Sequence, residues 1–557
     1  MTSKIVTVLL AITFQISLFA QENRSTQLDA FFKKAEKNGY SGSVLVSKGD
    51  QILLSKGYGM QDREAGKKQT DQTVFSVGSI TKQFTGAAIL KLQDMGKLSV
   101  TDPLSKFFPT APADKKDITI HQCLTHSAGF PDALGEDYEQ VNATSFMQMA
   151  FDSKLLSPPG EQYAYSNVGY SILGIIIEKV SGKGYEQFLR EQLWLPVGME
   201  HTGYLAPGFQ SADLAVGYRN GQRWGTAIDH PWMADGPGWH LRANGGVLST
   251  IGDMHRWYQA LQSNVILSEK ARNQYFTPHV SETPDEDGTH YGYGWVIDND
   301  PGLGRFIWHN GGNGVYNAYM GFAPEAKICI VLTSNSNDKI TDDYAQTALR
   351  ILNGVYKPLK DEQVQAWSGK YKLLDGSVFT ARFNELDNLI VNADTPGLFK
   401  VFITNGDENQ AAMDAQTQKV QTMMEQLLAG NYQPFADARK VPEPVVRRNQ
   451  SEIWADNQKQ RGKVLQIEAL GTAERPRFEA SLTILKFHFE KETRCLTFIW
   501  RDGILDDIRD EAVLEKDYEL KGNAQFFAPN NRQTVIFNAD KTLTIVHGNQ
   551  ETKAIKM

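Results

Sequence analysis

Three short stretches of the sequence carry side chains that could act together in covalent catalysis. They are Ser79-x-x-Lys82, Tyr165-x-Asn167 and His309-Asn310-Gly311-Gly312. A serine hydroxyl is a weak nucleophile until a neighbouring base takes its proton, and a lysine amine or a tyrosine phenolate can be that base. The residue types therefore predict an activated serine.

The first stretch is predicted to open a helix. Gly78 precedes Ser79, and apolar residues follow at helical spacing, namely Phe84, Ala87, Ala88 and Leu92. Residues three apart share one face of a helix, so Ser79 and Lys82 should lie side by side. Backbone N–H groups and the positive end of the dipole favour anions at such a helix start.

Each stretch also has an ordinary structural interpretation. A second Ser-x-x-Lys, Ser336–Lys339, sits in a polar turn after a predicted strand, and we interpret it as chance. A second Tyr-x-Asn begins at Tyr218, so that pattern alone is not specific. Tyr165 lies in a Pro/Gly-rich loop, where reactive side chains often concentrate. By itself, His309 could be incidental to a glycine turn.

Size, charge and cysteine usage narrow the class of protein. A chain of 557 residues is expected to form two or three domains. With 41% apolar and 22% charged residues it has a soluble globular composition, and a net charge of −8 gives no reason to expect nucleic-acid binding. The three cysteines are widely spaced, which predicts neither a disulfide framework nor a zinc site.

The first twenty residues resemble a signal peptide. Lys4 is followed by a short apolar core, and Ala20 precedes a polar segment. We expect cleavage after Ala20 and a secreted or periplasmic protein without stable membrane insertion. The alternative is an uncleaved anchor, although the core is short for a span.

The order of predicted elements indicates an α/β, or α+β, fold with two lobes. A strand hairpin lies at 42–58, a mostly helical region reaches about 260, and strands resume from 294 to 333. A helix at about 342–352 follows. Strands at both ends predict one antiparallel sheet flanked by helices, with an inserted helical lobe.

A smaller β-rich C-terminal region should follow the boundary near Tyr356-Lys357-Pro358. Short strands begin and end this region, and a helix at 410–428 and further strands lie between them. We therefore predict a signal peptide, a catalytic domain, a small β domain split in two and an inserted α+β domain. Their respective boundaries are 1–20, 21–357, 361–404 with 516–557, and 405–515.

Taken in order, the three motifs resemble those of the penicillin-recognising serine hydrolases. The similarity is to the branch of the β-lactamase family that holds class C β-lactamases, D-Ala-D-Ala carboxypeptidases, D-aminopeptidases and esterases. Further stretches that look like this branch are 123–131, 244–250 and 291–295, so that the resemblance covers about residues 28–355. The split C-terminal β segments resemble the lipocalin-like domains often appended to the family.

This resemblance implies an enzyme that forms an acyl-enzyme on Ser79 and acts on D-amino-acid peptides, β-lactams or small esters. Lys82 and Tyr165 would share the proton transfers, and which of them is the base stays open. A small-molecule or peptide substrate is the expected partner, and no metal or other cofactor is required. The residues expected to bind substrate are Asn167, His309, Asn310, Gly311 and Gly312, with the backbone N–H groups of Ser79 and Gly312 as the oxyanion hole.

The third motif departs from the Lys-Thr-Gly that many β-lactamases carry. His309 would pair with a substrate carboxylate or tune Tyr165, but histidine is charged only part of the time near neutral pH. This weakens the expectation of an efficient β-lactamase. Two alternatives remain open from sequence: a catalytically silent penicillin-binding-type binder or sensor, and a structural exoprotein whose C-terminal region carries the function.

Overall fold

The chain divides into two units, Met1–Tyr356 and Lys357–Met557. The predicted signal peptide and the Asp338-Lys339 end of the second Ser-x-x-Lys lie outside the residues that the structure describes. This computed structural model describes residues 24–282, 288–300, 302–337, 341–356, 358–404, 409–475, 480–501, 503–522, 524–528, 533–548 and 550–557.

An antiparallel sheet forms the frame of the first unit. Its eight strands in the described ranges are β1 Gly42–Lys48, β2 Gln51–Tyr58, β3 Val280–Ser281, β4 His290–Tyr291, β5 Val296–Asp300, β6 Gly304–Gly312, β7 Asn317–Ala323 and β8 Ile328–Ser334. They lie in the order β2-β1-β8-β7-β6-β5-β4-β3.

Strands from the two ends of this unit pair with each other within the sheet. Strand β1 pairs with β8, with Val44 opposite Leu332 and Val46 opposite Ile330. Both strands are almost wholly buried and rich in β-branched residues, which favour the pleated conformation. The prediction of one antiparallel sheet built from both ends is confirmed.

Helices cover the sheet and form the inserted lobe. They are 24–37, Thr81–Asp94, Leu104–Phe107, Ile120–Leu124, Ala143–Asp152, Asn167–Ser181, Tyr185–Leu189, Ile251–Leu261, Glu269–Tyr275 and Thr341–Leu352. Short strand pairs also lie in this unit: Met60–Asp62 with Lys67–Lys68, Phe75–Ser76 with Leu248–Ser249, and Gly217–Arg219 with Gln222–Gly225.

Helix Thr81–Asp94 lies in the interior rather than on the surface. Its residues from Thr81 to Leu90 are all buried. The Phe84 ring lies 5.5 Å from that of Trp194 and 5.0 Å from that of Trp257, between centroids. A helix that is apolar on most sides is expected in a protein core. Its packing fixes the position of the preceding turn, which contains Ser79.

The second unit is built around a closed antiparallel barrel. Aromatic side chains fill the core of this barrel, among them Tyr371, Phe379 and Phe526. The described residues place eight strands in it: Gly369–Leu373, Val378–Phe383, Leu389–Asn392, Glu515–Gly522, Gln525–Ala528, Gln533–Phe537, Thr542–His547 and Gln550–Lys556.

An α+β insertion separates the third and fourth barrel strands. Its sheet consists of Val464–Arg475, Ala480–Phe489, Thr493–Arg501 and Ile504–Glu511. The helices of this unit are Asp361–Trp367, Pro396–Phe402, Gln410–Leu428, Gln433–Arg439 and Glu443–Arg461. A β-rich C-terminal region with an α+β insertion is thus confirmed as part of the fold class. The likeness to lipocalins stays a prediction.

The buried β1–β8 strand pair should contribute to the stability of the first unit. Replacing Ile330, whose side chain is 0% exposed in β8, by alanine should lower the free energy of unfolding by about 2–5 kcal/mol, because it leaves a cavity. Ile52→Ala in β2 is the matched control, since Ile52 is 50% exposed. Chemical denaturation would show the difference, and equal losses in the two variants would contradict it.

Candidate active site

Ser79 lies in a tight turn that leads into the buried helix. Gly78–Ile80 forms a 3₁₀ turn, and Thr81–Asp94 continues it as an α-helix. Gly78 has φ +53°, a left-handed conformation that glycine adopts without strain. A Cβ at this position would lie 2.6 Å from the Gly312 nitrogen. The glycine therefore lets the turn approach the end of strand β6.

The Lys82 amine is the centre of the site and is fully buried. Its Nζ lies 3.0 Å from Ser79 Oγ, 2.7 Å from Asn167 Oδ1 and 2.8 Å from the backbone oxygen of Asn244. An ammonium group has three protons to donate, and these acceptors use all of them. All three are neutral, so no carboxylate of the described residues bonds the amine directly.

Burial lowers the pKa of Lys82 to about 7, since a low dielectric disfavours the charged form. The carboxylates of Asp132 and Asp137 act in the opposite direction and raise it. Near neutral pH, Lys82 therefore populates both a neutral amine that can accept a proton and an ammonium that can return one.

Tyr165 lies beside this pair. The Ser79 side chain acts to lower the pKa of Tyr165, and Lys82 Nζ lies 4.8 Å from the centre of the Tyr165 ring. Burial raises the pKa of Tyr165 above its usual value, so the phenol keeps its proton at neutral pH. Tyr165 is thus suited to donating or relaying a proton, while Lys82 is suited to accepting the first one.

Asn167 is the first residue of helix Asn167–Ser181. Ser166 caps this helix by accepting a hydrogen bond from the Gly169 N–H. The cap fixes the direction in which the loop enters the helix. It thereby places Tyr165 and Asn167, two residues apart, next to the Lys82 amine.

His309 is buried behind Tyr165, with a ring-centroid separation of 6.4 Å. Its Nδ1 lies 2.5 Å from the backbone oxygen of Asn310 and must donate, because a carbonyl only accepts. Its Nε2 then accepts from the hydroxyl of Tyr291, at 2.9 Å. Burial and the nearby charge of Lys82 lower the pKa of His309 to about 3, so the ring is neutral.

His309 therefore does not present a positive charge to a substrate. Both ring nitrogens are engaged inside the protein, and the side chain is only 2% exposed. An interaction with a substrate carboxylate would require breaking one of these internal hydrogen bonds. The second predicted role, an influence on Tyr165, remains compatible with the geometry.

Alternation along β6 separates the other residues of the third motif. Asn310 is exposed, and its Nδ2 donates to Asp342 at 2.8 Å. Gly311 instead faces the turn that holds Ser79, since a Cβ there would lie 2.9 Å from the Ser79 nitrogen. Successive strand residues point to opposite faces, so the Asn310 side chain lies on the face away from Ser79. The expectation that Asn310 binds substrate stays a prediction, and this geometry favours a contribution through its backbone rather than its side chain.

Two residues of the site were not among the predicted site residues. Asn244 supplies the third acceptor of Lys82 through its backbone oxygen, and the resemblance at 244–250 was the only sequence signal for it. His126 has φ +56°, and its ring lies 4.3 Å from that of Tyr165. Burial holds the pKa of His126 well below its usual value, so this ring is neutral as well.

In the described stretches, no cluster of three or more His, Cys, Asp or Glu side chains could hold a metal ion. Nor, over the same part of the chain, does any helix combine the length and apolarity required to span a bilayer.

Comparison with known proteins gives the family of the chain. The Beta-lactamase family profile matches residues 28–353. Penicillin-binding protein 4* of Bacillus subtilis is 28% identical over 355 residues, which cover 59% of this chain and 75% of that protein. Protein flp of Staphylococcus aureus strain MW2 is 27% identical over 326 residues, which cover 56% of this chain and 63% of that protein.

One solved structure is similar over almost the whole chain. It is the octameric penicillin-binding protein homologue from Pyrococcus abyssi, with a TM-score of 0.57 and 22% identity over 95% of this chain and 99% of that one. At this identity the likeness shows the fold alone. Because the family profile covers more than half of the sequence, the chain belongs to the β-lactamase family, a family of serine hydrolase type.

The two neighbouring glycines of β6 should respond differently to substitution. In Gly311→Ala the new Cβ would lie 2.0 Å from the Val77 oxygen, so the backbone must move, and we expect a loss of about 1–3 kcal/mol in unfolding free energy. Gly312→Ala is the control, because its nearest neighbours would be 3.5 Å away. Denaturation curves would test this, and a Gly311→Ala protein as stable as Gly312→Ala would refute it.

Proposed function

We propose that this protein is a secreted or periplasmic serine hydrolase that forms an acyl-enzyme on Ser79. The observation that carries the proposal is the fully buried Lys82 amine, 3.0 Å from Ser79 Oγ, with its pKa lowered to about 7. A lysine with its ordinary pKa would be charged at neutral pH and could not accept the serine proton. Lys82 can accept the Ser79 proton, because burial lowers its pKa and part of the population is neutral.

In the proposed reaction, neutral Lys82 takes the Ser79 proton as Oγ attacks an ester or amide carbonyl. The oxygen of that carbonyl becomes negative and accepts hydrogen bonds from the backbone N–H groups of Ser79 and Gly312. Tyr165 gives its proton to the leaving group and recovers one from the Lys82 ammonium. A water molecule then releases the acyl group through the same proton transfers in reverse order.

The neutral His309 bears on the choice of substrate. Substrates that depend on a fixed cation to bind a free carboxylate would not find one at this residue. We therefore propose that the better substrates are small esters and the amide bonds of D-amino-acid peptides. β-Lactams should react more slowly. The name of the Bacillus subtilis relative, penicillin-binding protein 4*, supports penicillin as a second acylating probe.

Replacing the proposed nucleophile should abolish turnover. Wild-type protein should react with a fluorophosphonate probe and a fluorescent penicillin and should hydrolyse p-nitrophenyl acetate. Ser79→Ala should lose both labels, and its kcat should fall by about 10³-fold or more, because the covalent step is gone.

Ser336→Ala is the matched control, since Ser336 begins the second Ser-x-x-Lys. It should keep both labels. Wild-type turnover in Ser79→Ala would contradict the proposal. A wild-type protein that neither reacts nor turns over any ester, D-Ala-D-Ala peptide, D-amino-acid amide or β-lactam would favour the silent binder instead.

The pH dependence should report Lys82. The proposed base must be neutral in the free enzyme, so kcat/KM for p-nitrophenyl acetate should rise as pH increases through about 7 and then level off. His309, with a pKa of about 3, should add no further step between pH 5 and 9. Steady-state rates corrected for spontaneous hydrolysis would show this, and a flat profile across that range would exclude Lys82 as the base.

A further inference from the structure

Asp132, an exposed residue outside the three motifs, makes two hydrogen bonds to Asn167. Its backbone oxygen accepts from the Asn167 N–H at 3.0 Å. Its carboxylate accepts from Asn167 Nδ2 at 2.8 Å. The amide of Asn167 is therefore held between this carboxylate on one side and the Lys82 amine, 2.7 Å from Oδ1, on the other.

This arrangement allows only one orientation of the Asn167 amide. An ionised carboxylate accepts hydrogen bonds and cannot donate, so it selects the NH₂ side of the amide. The carbonyl side then faces Lys82, where it can accept from the ammonium. With the amide turned over, its NH₂ group would meet the Lys82 protons and its oxygen would meet the carboxylate.

We propose that Asp132 is a positioning residue of this site: it holds the Asn167 amide oxygen on Lys82, and its negative charge acts on that amine. The proposal rests on the proposed role of Ser79 and Lys82. It assigns a function to a residue that contacts neither Ser79 nor Lys82 by a hydrogen bond in the described part of the chain.

The charge of Asp132 gives an independent reason for this assignment. Its carboxylate and that of Asp137 both raise the pKa of Lys82 against the effect of burial. The other titratable groups around this amine are neutral at pH 7, because burial shifts their pKa values away from neutrality: His126, His309, Tyr165 and Tyr170. The two aspartates are thus the anions whose removal should alter Lys82.

Three variants separate orientation from charge. Asp132→Ala removes both the acceptor and the charge, whereas Asp132→Asn keeps an acceptor for Asn167 Nδ2 and removes only the charge. Asp137→Asn is the matched control for charge, because no hydrogen bond joins Asp137 to Asn167 among the described contacts. Thermal unfolding of each variant shows that it is folded before kinetics are compared.

The kinetic readout is the hydrolysis of p-nitrophenyl acetate between pH 5 and 9. We expect Asp132→Ala to lose about tenfold or more in kcat with KM changed by less than about threefold. The reason is that the variant loses the hydrogen bond from Asn167 to the Asp132 carboxylate, which positions Lys82 for the steps that follow substrate binding. Asp132→Asn should stay within about threefold of wild type. In all three variants the rise of kcat/KM should move to lower pH, because removing a carboxylate favours the neutral amine.

Crystal structures give a readout that does not depend on turnover. In Asp132→Ala the Asn167 side chain should leave Lys82, and in Asp132→Asn it should stay. Failure of wild-type protein to react with the fluorophosphonate would reject the proposed function, and the crystal structures would still decide the orienting role. An Asn167 unmoved in Asp132→Ala, or wild-type kcat and an unshifted pH profile in that variant, would overturn the proposal.

Discussion

The site depends on an amine buried without a directly bonded counter-ion. Removing an ammonium group from water is costly, and a protein offsets the cost by pairing the charge or by letting the group lose its proton. Around Lys82 the acceptors are a hydroxyl, an amide oxygen and a backbone carbonyl, which satisfy its hydrogen bonds without pinning its charge. Burial therefore lowers the pKa of Lys82 to about 7, and the amine can exchange protons near neutral pH.

Because each proton of the buried amine needs an acceptor, parts of the chain that are distant in sequence must keep fixed positions around Lys82. The backbone oxygen of Asn244 can face Lys82 because the Asn244 side chain is itself tied to Ser171 Oγ and to the His240 oxygen, both at 2.8 Å. Thr85 bonds the neighbouring Ala243 oxygen from the buried helix. A shift in any of these contacts would leave a buried proton of the amine without an acceptor.

Much of the fold and the core of the site could be predicted from sequence, because both leave periodic signals. The helix after Ser79 was predicted from apolar spacing. Helix Glu443–Arg461 was missed, since Val446 is its only buried residue in the described structure and no apolar stripe marks it. For Asn310 the motif named the residue, but not which face of β6 it would take. Asp132, an exposed acid after a proline, follows no recognisable pattern.

The closed barrel of the second unit has a consequence for how the chain reaches its native state. Strand Leu389–Asn392 pairs with Glu515–Gly522, and Gly369–Leu373 pairs with Gln550–Lys556. These partners are far apart in sequence, and closing such long loops is entropically costly and slow. During synthesis the early barrel strands must therefore wait, with their edges unpaired, until the α+β insertion and the later strands have been made. The insertion acts in folding as a long tether between two barrel strands, and its own compaction shortens the distance over which the barrel must close.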